Sequence, residues 1–72
     1  MKCMDRKIID NLREMFPKGT RVVLVYMDDP QAPPEGTEGS VRWVDGTGTV
    51  HVEWDNGSSL GAVYGADRIS KI

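Results

Sequence analysis

The sequence predicts a mainly β domain with one N-terminal α-helix. Three observations predict it. Gly36–Gly57 reads as two strands joined by a tight turn, with a second tight turn at its end. Arg21–Met27, Arg-Val-Val-Leu-Val-Tyr-Met, is the most strand-like run of the chain. Helical periodicity is confined to the residues before Pro17.

Taken in order, Asp5 to Phe16 reads as a helix. Ile8, Ile9, Leu12, Met15 and Phe16 form one apolar stripe, Asp5 supplies an N-cap, and Pro17 with Lys18-Gly19 ends the element. Three turns alone are marginal in water, so the stripe must pack on something. Capping one open end of the β-structure is the preferred reading, and pairing with another chain is the alternative. Arg21–Met27 is apolar almost throughout, which predicts cover on both faces, with the helix as one candidate for the outer face. Asp28–Gly36 carries Pro30, Pro33 and Pro34 and reads as a stiff loop, either a rigid connector or a place for ligand contacts.

Ser40–Val44 is β-rich and bounded by Gly39 and Asp45. Strict alternation puts Val41 and Trp43 on one face. A bulge instead sends Val41 and Val44 inward and Trp43 towards solvent. In Asp45-Gly46-Thr47-Gly48, Asp-Gly supplies the positive φ of a hairpin turn, and Gly48 suits a G1 bulge. Val50, Val52 and Trp54 then alternate with Thr49, His51 and Glu53, the pattern of a half-buried strand. Asp55-Asn56-Gly57 is a strong hairpin signal, so Ser58–Val63 is expected to return antiparallel to Val50–Trp54. Gly65-Ala66-Asp67 reads as a short turn, and Arg68–Ile72 as a last strand with Ile69 in the core. Five short strands with a tight turn before the last predict a small five-stranded SH3-like barrel. A ββα or ferredoxin-like fold needs a second helix, which the pattern does not supply.

The chain has 72 residues, enough for one domain: residues 1–18 as helix and linker, residues 19–72 as the barrel. A chain this short buries only about 60% of its unfolded surface, which leaves little room for a deep enclosed active site. No apolar run approaches the ~20 residues of a spanning helix, and Met1–Asp5 lacks a signal-peptide apolar region. The single cysteine, Cys3, forms no internal disulfide, and a reducing cytoplasm is the expected location. Net charge is −2, unevenly spread. Over residues 1–18, the five basic residues Lys2, Arg6, Lys7, Arg13 and Lys18 face three acids (+2); over residues 19–72, four basic residues face eight acids (−4). An acidic barrel disfavours nucleic acid, whose binding draws on phosphate neutralisation.

Chemistry-bearing residue types are sparse. His51, Asp55, Ser58 and Ser59 are types a hydrolase uses, but no nucleophile elbow or oxyanion element accompanies them. One histidine and one distant cysteine make no zinc site, and Asp28-Asp29 and Asp55-Asn56 lack the alternating ligand loop of a calcium site. Gly46-Thr47-Gly48 precedes no helix and reads as a turn rather than a phosphate cradle. No catalytic residue, metal ligand or cofactor is expected. Aromatic rings stand out instead. Trp54 shares the core face with Val50 and Val52. Trp43 is the best surface candidate, and Tyr26 and Tyr64 are placed flanking a groove beside the Asp28–Gly36 loop.

An ordered set of motifs spans most of the chain: Phe16-Pro17-Lys18-Gly19-Thr20-Arg21-Val22, Tyr26-Met27-Asp28-Asp29-Pro30, Gly36-Thr37-Glu38-Gly39, Val44-Asp45, His51 through Leu60, and Asp67-Arg68. Together they resemble an uncharacterised bacterial family catalogued as domain of unknown function 4314, whose members often sit in phage and mobile-element gene neighbourhoods. The resemblance implies an SH3-like fold and carries no activity and no catalytic residues. Its Val-x-x-Val spacing matches Val41 and Val44 as inward residues, which favours the bulge and an exposed Trp43. Glu35 departs from the family's usual proline. More loosely, the layout is similar to KOW and Tudor barrels, which bind RNA, ribosomal proteins or modified peptides. The expected function is a non-catalytic module that binds a protein or peptide through a shallow aromatic surface. A KOW-type nucleic-acid accessory domain is the alternative, sustained by the basic residues near the helix.

Overall fold

The structure, a computed structural model, describes residues 5–72. Lys2 and Cys3, which bear on the charge and redox expectations, lie outside the described residues. Helix α1 spans Arg6–Met15. Five strands follow: β1 Arg21–Tyr26, β2 Glu38–Val44, β3 Thr49–Trp54, β4 Ala62–Val63 and β5 Arg68–Lys71. They form one antiparallel sheet in the order β4-β3-β2-β1-β5. The ladder does not close on itself: β4 and β5 are not paired with each other, and Tyr64 and Asp67, next to their ends, form an isolated bridge. Among the described residues no helix is long and apolar enough to cross a membrane.

The local signals of α1 act as read. The Asp5 carboxylate accepts the Lys7 N–H at 2.8 Å, satisfying one of the orphan donors of the first turn. The Phe16 N–H closes the last turn on the Leu12 carbonyl before Pro17 ends the element. Ile9, Leu12 and Phe16 are buried, while Met15 at the stripe's edge is exposed.

Leu12 and Phe16 join the same core cluster as Val22 and Leu24 of β1, Val41 and Val44 of β2, and Val50, Val52 and Trp54 of β3. The helix thus covers the side of the sheet that buries Val22 and Leu24. This corrects the expectation of an outer-face helix and a doubly covered β1. With α1 on the core side, Val23 is half-buried and Val25 and Tyr26 are exposed.

Both hairpin turns share one construction. In the β2–β3 turn the Gly48 N–H donates to the Asp45 carbonyl, the Asp45 N–H donates to the Thr49 carbonyl, and Gly48 has φ +83°. After β3, Gly57 N–H and Trp54 carbonyl, and Trp54 N–H and Ser58 carbonyl, repeat the pattern with Gly57 at φ +92°. Each is a three-residue loop ending in a left-handed glycine, so the positive φ falls on Gly48 and Gly57 rather than on Gly46 or Asn56.

The return after the second turn is shorter than Ser58–Val63. Only Ala62 and Val63 pair with β3, opposite Val50 and Thr49. Upstream of them, the Trp54 indole N–H donates to the Leu60 carbonyl at 2.9 Å. The expected Gly65–Asp67 turn is present. Ala66 and Asp67 N–H groups donate to the Val63 carbonyl, and the Asp67 carboxylate accepts N–H groups of Asp28 and Val63 at 2.9 and 2.8 Å. The Asp28–Gly36 loop is likewise tied back, through Gly36 N–H to the Leu24 carbonyl, and Ala32 N–H to the Asp29 carbonyl closes a turn within it.

Candidate functional site

The site begins with one extra residue in β2. Val41 pairs with Val52 and Trp43 with His51, so Arg42 is the surplus residue of a bulge. Val41 and Val44 consequently both face the core, and Arg42 and Trp43 reach solvent. Trp43 is 56% exposed, the bulge reading of the sequence.

The exposed indole is nevertheless held. It stacks on the His51 ring across the strand pair, with centroids 4.5 Å apart and planes 8° from parallel. His51 Nε2 in turn lies 2.8 Å from Asp45 Oδ2. The other oxygen of Asp45 organises the turn, accepting the Thr47 N–H, the Thr47 hydroxyl and the Thr49 N–H. Burial alone pushes the Asp45 carboxyl up. Hydrogen bonds from the Thr47 hydroxyl, from His51 and from the Thr49 and Thr47 backbone nevertheless hold it well below the usual carboxylate range. An ionised carboxylate, an imidazole and an indole are thus linked in a row, and the turn fixes the ring.

Beside Trp43 opens a cleft of about 370 Å³ between the end of α1 and the end of β2. Phe16, Pro17 and Val44 give it an apolar lining, and Arg13, Lys18 and Arg42 supply its charges. Arg13 spans the gap from helix to sheet, donating Nε–H and a terminal N–H to the Val44 carbonyl at 3.2 and 3.1 Å. Among the described residues, none of the three cations has a carboxylate within 4 Å. Lys71 adds a fourth positive charge nearby, 5.7 Å from the centre of the Phe16 ring. Two acidic side chains, by contrast, are engaged elsewhere. Asp55 and Glu38 both pair with Arg21, and the hydrogen bond between Arg21 and Asp55 raises the guanidinium above its ordinary value and lowers the carboxyl.

The structure separates the three aromatic candidates. Tyr64 lines a second, apolar cleft of about 220 Å³ with Leu12, Met15, Val50 and Ile69. Tyr26, opposite Arg68 at the end of β1, lines neither cleft. Neither tyrosine shares Trp43's cleft, and no Asp28–Gly36 residue lines either cleft. The hydrolase-type residues are also dispersed. His51 is bonded to Asp45 and Asp55 to Arg21, while the Ser58 N–H and hydroxyl stay within their own turn. Sequence reading missed the convergence of Arg13, Lys18 and Arg42. Arg13 and Lys18 flank the helix end, but no local signal in the sequence joins them to Arg42.

No curated protein and no solved structure matches the chain. The family described as Domain of unknown function (DUF4314) matches residues 5–72, nearly the whole chain, and the chain belongs to that family.

Proposed function

We propose that the chain is a small SH3-like barrel serving as a non-catalytic interaction module, with its contact surface at the Trp43 cleft and a protein or peptide as partner. The barrel reading is supported by the strand order and by the Gly65–Asp67 turn, which brings the two edge strands together at Tyr64 and Asp67. The observation that carries the functional reading is the solvent-exposed indole, stacked on His51 at a cleft of mixed apolar and basic lining. Rigid aromatics of this kind anchor interfaces at small entropic cost. Tyr64 and Tyr26 serve as separate, secondary contacts. A cytoplasmic setting is supported by the single cysteine, and a phage or mobile-element context by the family resemblance.

A nucleic-acid accessory role is the second reading, favoured by the three cations around a ring on which a base could stack. Affinity capture with the wild-type chain and with Trp43→Ala, followed by mass spectrometry, tests the first reading. A protein retained by wild type and lost by a folded Trp43→Ala variant is the expected result. Identical retention by both removes the cleft as the contact surface.

A further inference from the structure

From the charges around the cleft we infer that its ligand is a short acidic peptide segment, with carboxylates flanking an apolar side chain. The inference rests on the reading of the Trp43 cleft as the contact surface and adds the chemistry of what it holds.

Every charged residue lining the cleft is a cation: Arg13, Lys18 and Arg42. The chain as a whole carries −2, so the rest of the molecule, without these three, carries −5. Positive charge gathered at one place on an acidic protein selects a partner by complementarity. Arg42 and Lys18 have no carboxylate partner among the described residues, and Arg13 has spent two donors on the Val44 carbonyl, with others remaining. Their donors suit carboxylates, the guanidinium groups in two-point fashion. Between the cations, Pro17 and the indole, over a floor of the buried Phe16 and Val44, offer apolar surface that a carboxylate alone would leave wet. The occupant therefore needs both parts, acid and apolar.

The same charge distribution decides against a long polyanion. A nucleic-acid strand gains affinity with each phosphate neutralised, and the basic lining ends within a cleft of about 370 Å³. The rest of the molecule, at −5 in total, offers a longer strand no comparable gain. A short epitope stays within the basic cleft.

A random peptide display library, panned on the immobilised wild-type chain, tests this. Enriched peptides should combine Asp or Glu with an apolar residue. Their binding should fall at least about tenfold against Lys18→Glu/Arg42→Glu and weaken with rising salt. Both substituted residues are exposed, and an unchanged urea melt verifies that the variant folds. If enriched peptides lose binding to Trp43→Ala yet carry no acidic bias, the acidic inference is overturned while the cleft stands. Binding unaffected by either variant, or no enrichment at all, overturns both readings. A random single-stranded DNA pool, retained more tightly than the peptides at near-physiological salt, overturns the choice of partner.

Discussion

The two tryptophans sit on the same pair of strands and have opposite fates. Trp54, at one end of the β2–β3 ladder, faces Gly39 and is 1% exposed. Trp43, towards the other end, faces His51 and is 56% exposed. Between them lies the bulge at Arg42. Side chains alternate with period two, so one surplus residue exchanges the faces of everything beyond it. Upstream of the bulge the pairing fills the core. Downstream of it, the pairing still buries Val44 against the core but turns the large ring out. The difference teaches that hydrophobicity alone does not place a tryptophan here; register does.

Removing each ring gives the sharpest break in this comparison. Trp54→Ala should cost about 3–5 kcal/mol, as for other buried large aromatics. That is most of the ~5 kcal/mol available to a marginal small domain. It should also orphan the Leu60 carbonyl that the indole N–H serves. Trp43→Ala should cost about 1 kcal/mol or less, chiefly the stack on His51. Urea melts of the two variants read the contrast directly. Equal losses would place both rings in the core and contradict the bulge.

A second test targets what makes room for Trp54. A Cβ built on Gly39 would lie 2.7 Å from Val52 Cγ1, 2.8 Å from the Glu53 carbonyl oxygen and 2.9 Å from Trp54 Cε3. One of these contacts is backbone in a paired strand and cannot swing aside. Gly39→Ala is expected to destabilise by about 1–3 kcal/mol, the usual range for overpacking. A neutral melt would mean that the β2–β3 pairing near Trp54 is looser than described.

The smallest effect concerns the support of Trp43. Asp45 is held below its unfolded value of about 3.9. A depressed carboxylate contributes stability that is fully present above the unfolded value and is lost as pH falls towards the folded one. Wild type should therefore lose more stability than Asp45→Asn between neutral pH and about pH 3. At neutral pH Asp45→Asn should already be the weaker protein, and its Trp43 fluorescence should report a freer ring. Parallel loss of stability in both proteins would assign the acid sensitivity to other groups, Asp55 with Arg21 first among them.

Much of the architecture was legible in sequence because its signals are local. The helix limits follow from Asp5 and Pro17, strand β3 from the alternation of Val50, Val52 and Trp54, and the turns from Asp45–Gly48 and Asp55–Gly57. Each depends on residues a few positions apart, where φ preferences and side-chain periodicity act directly. The G1 position read at Gly48 is present, whereas the positive φ expected from Asp45-Gly46 is not. Both loops have three residues and place the left-handed conformation on their last glycine, Gly48 and Gly57.

Apart from the β2–β3 bulge, which the spacing of Val41 and Val44 already indicated, what lay beyond the sequence was the set of contacts between distant elements. Arg21–Met27 is apolar enough for two covered faces, but α1 settles on one side and leaves Val25 in water. His51 and Asp55 are four apart in the chain, yet His51 bonds Asp45 across the turn and Asp55 bonds Arg21. Arg13, Lys18 and Arg42 meet because the end of α1 abuts the end of β2, where Arg13 holds the Val44 carbonyl. Composition and local pattern determined which elements form and which residues are apolar. Only the packed sheet decided which side chains become neighbours. Contacts between distant residues depend on how all the elements bury their apolar faces together, a choice no single segment makes.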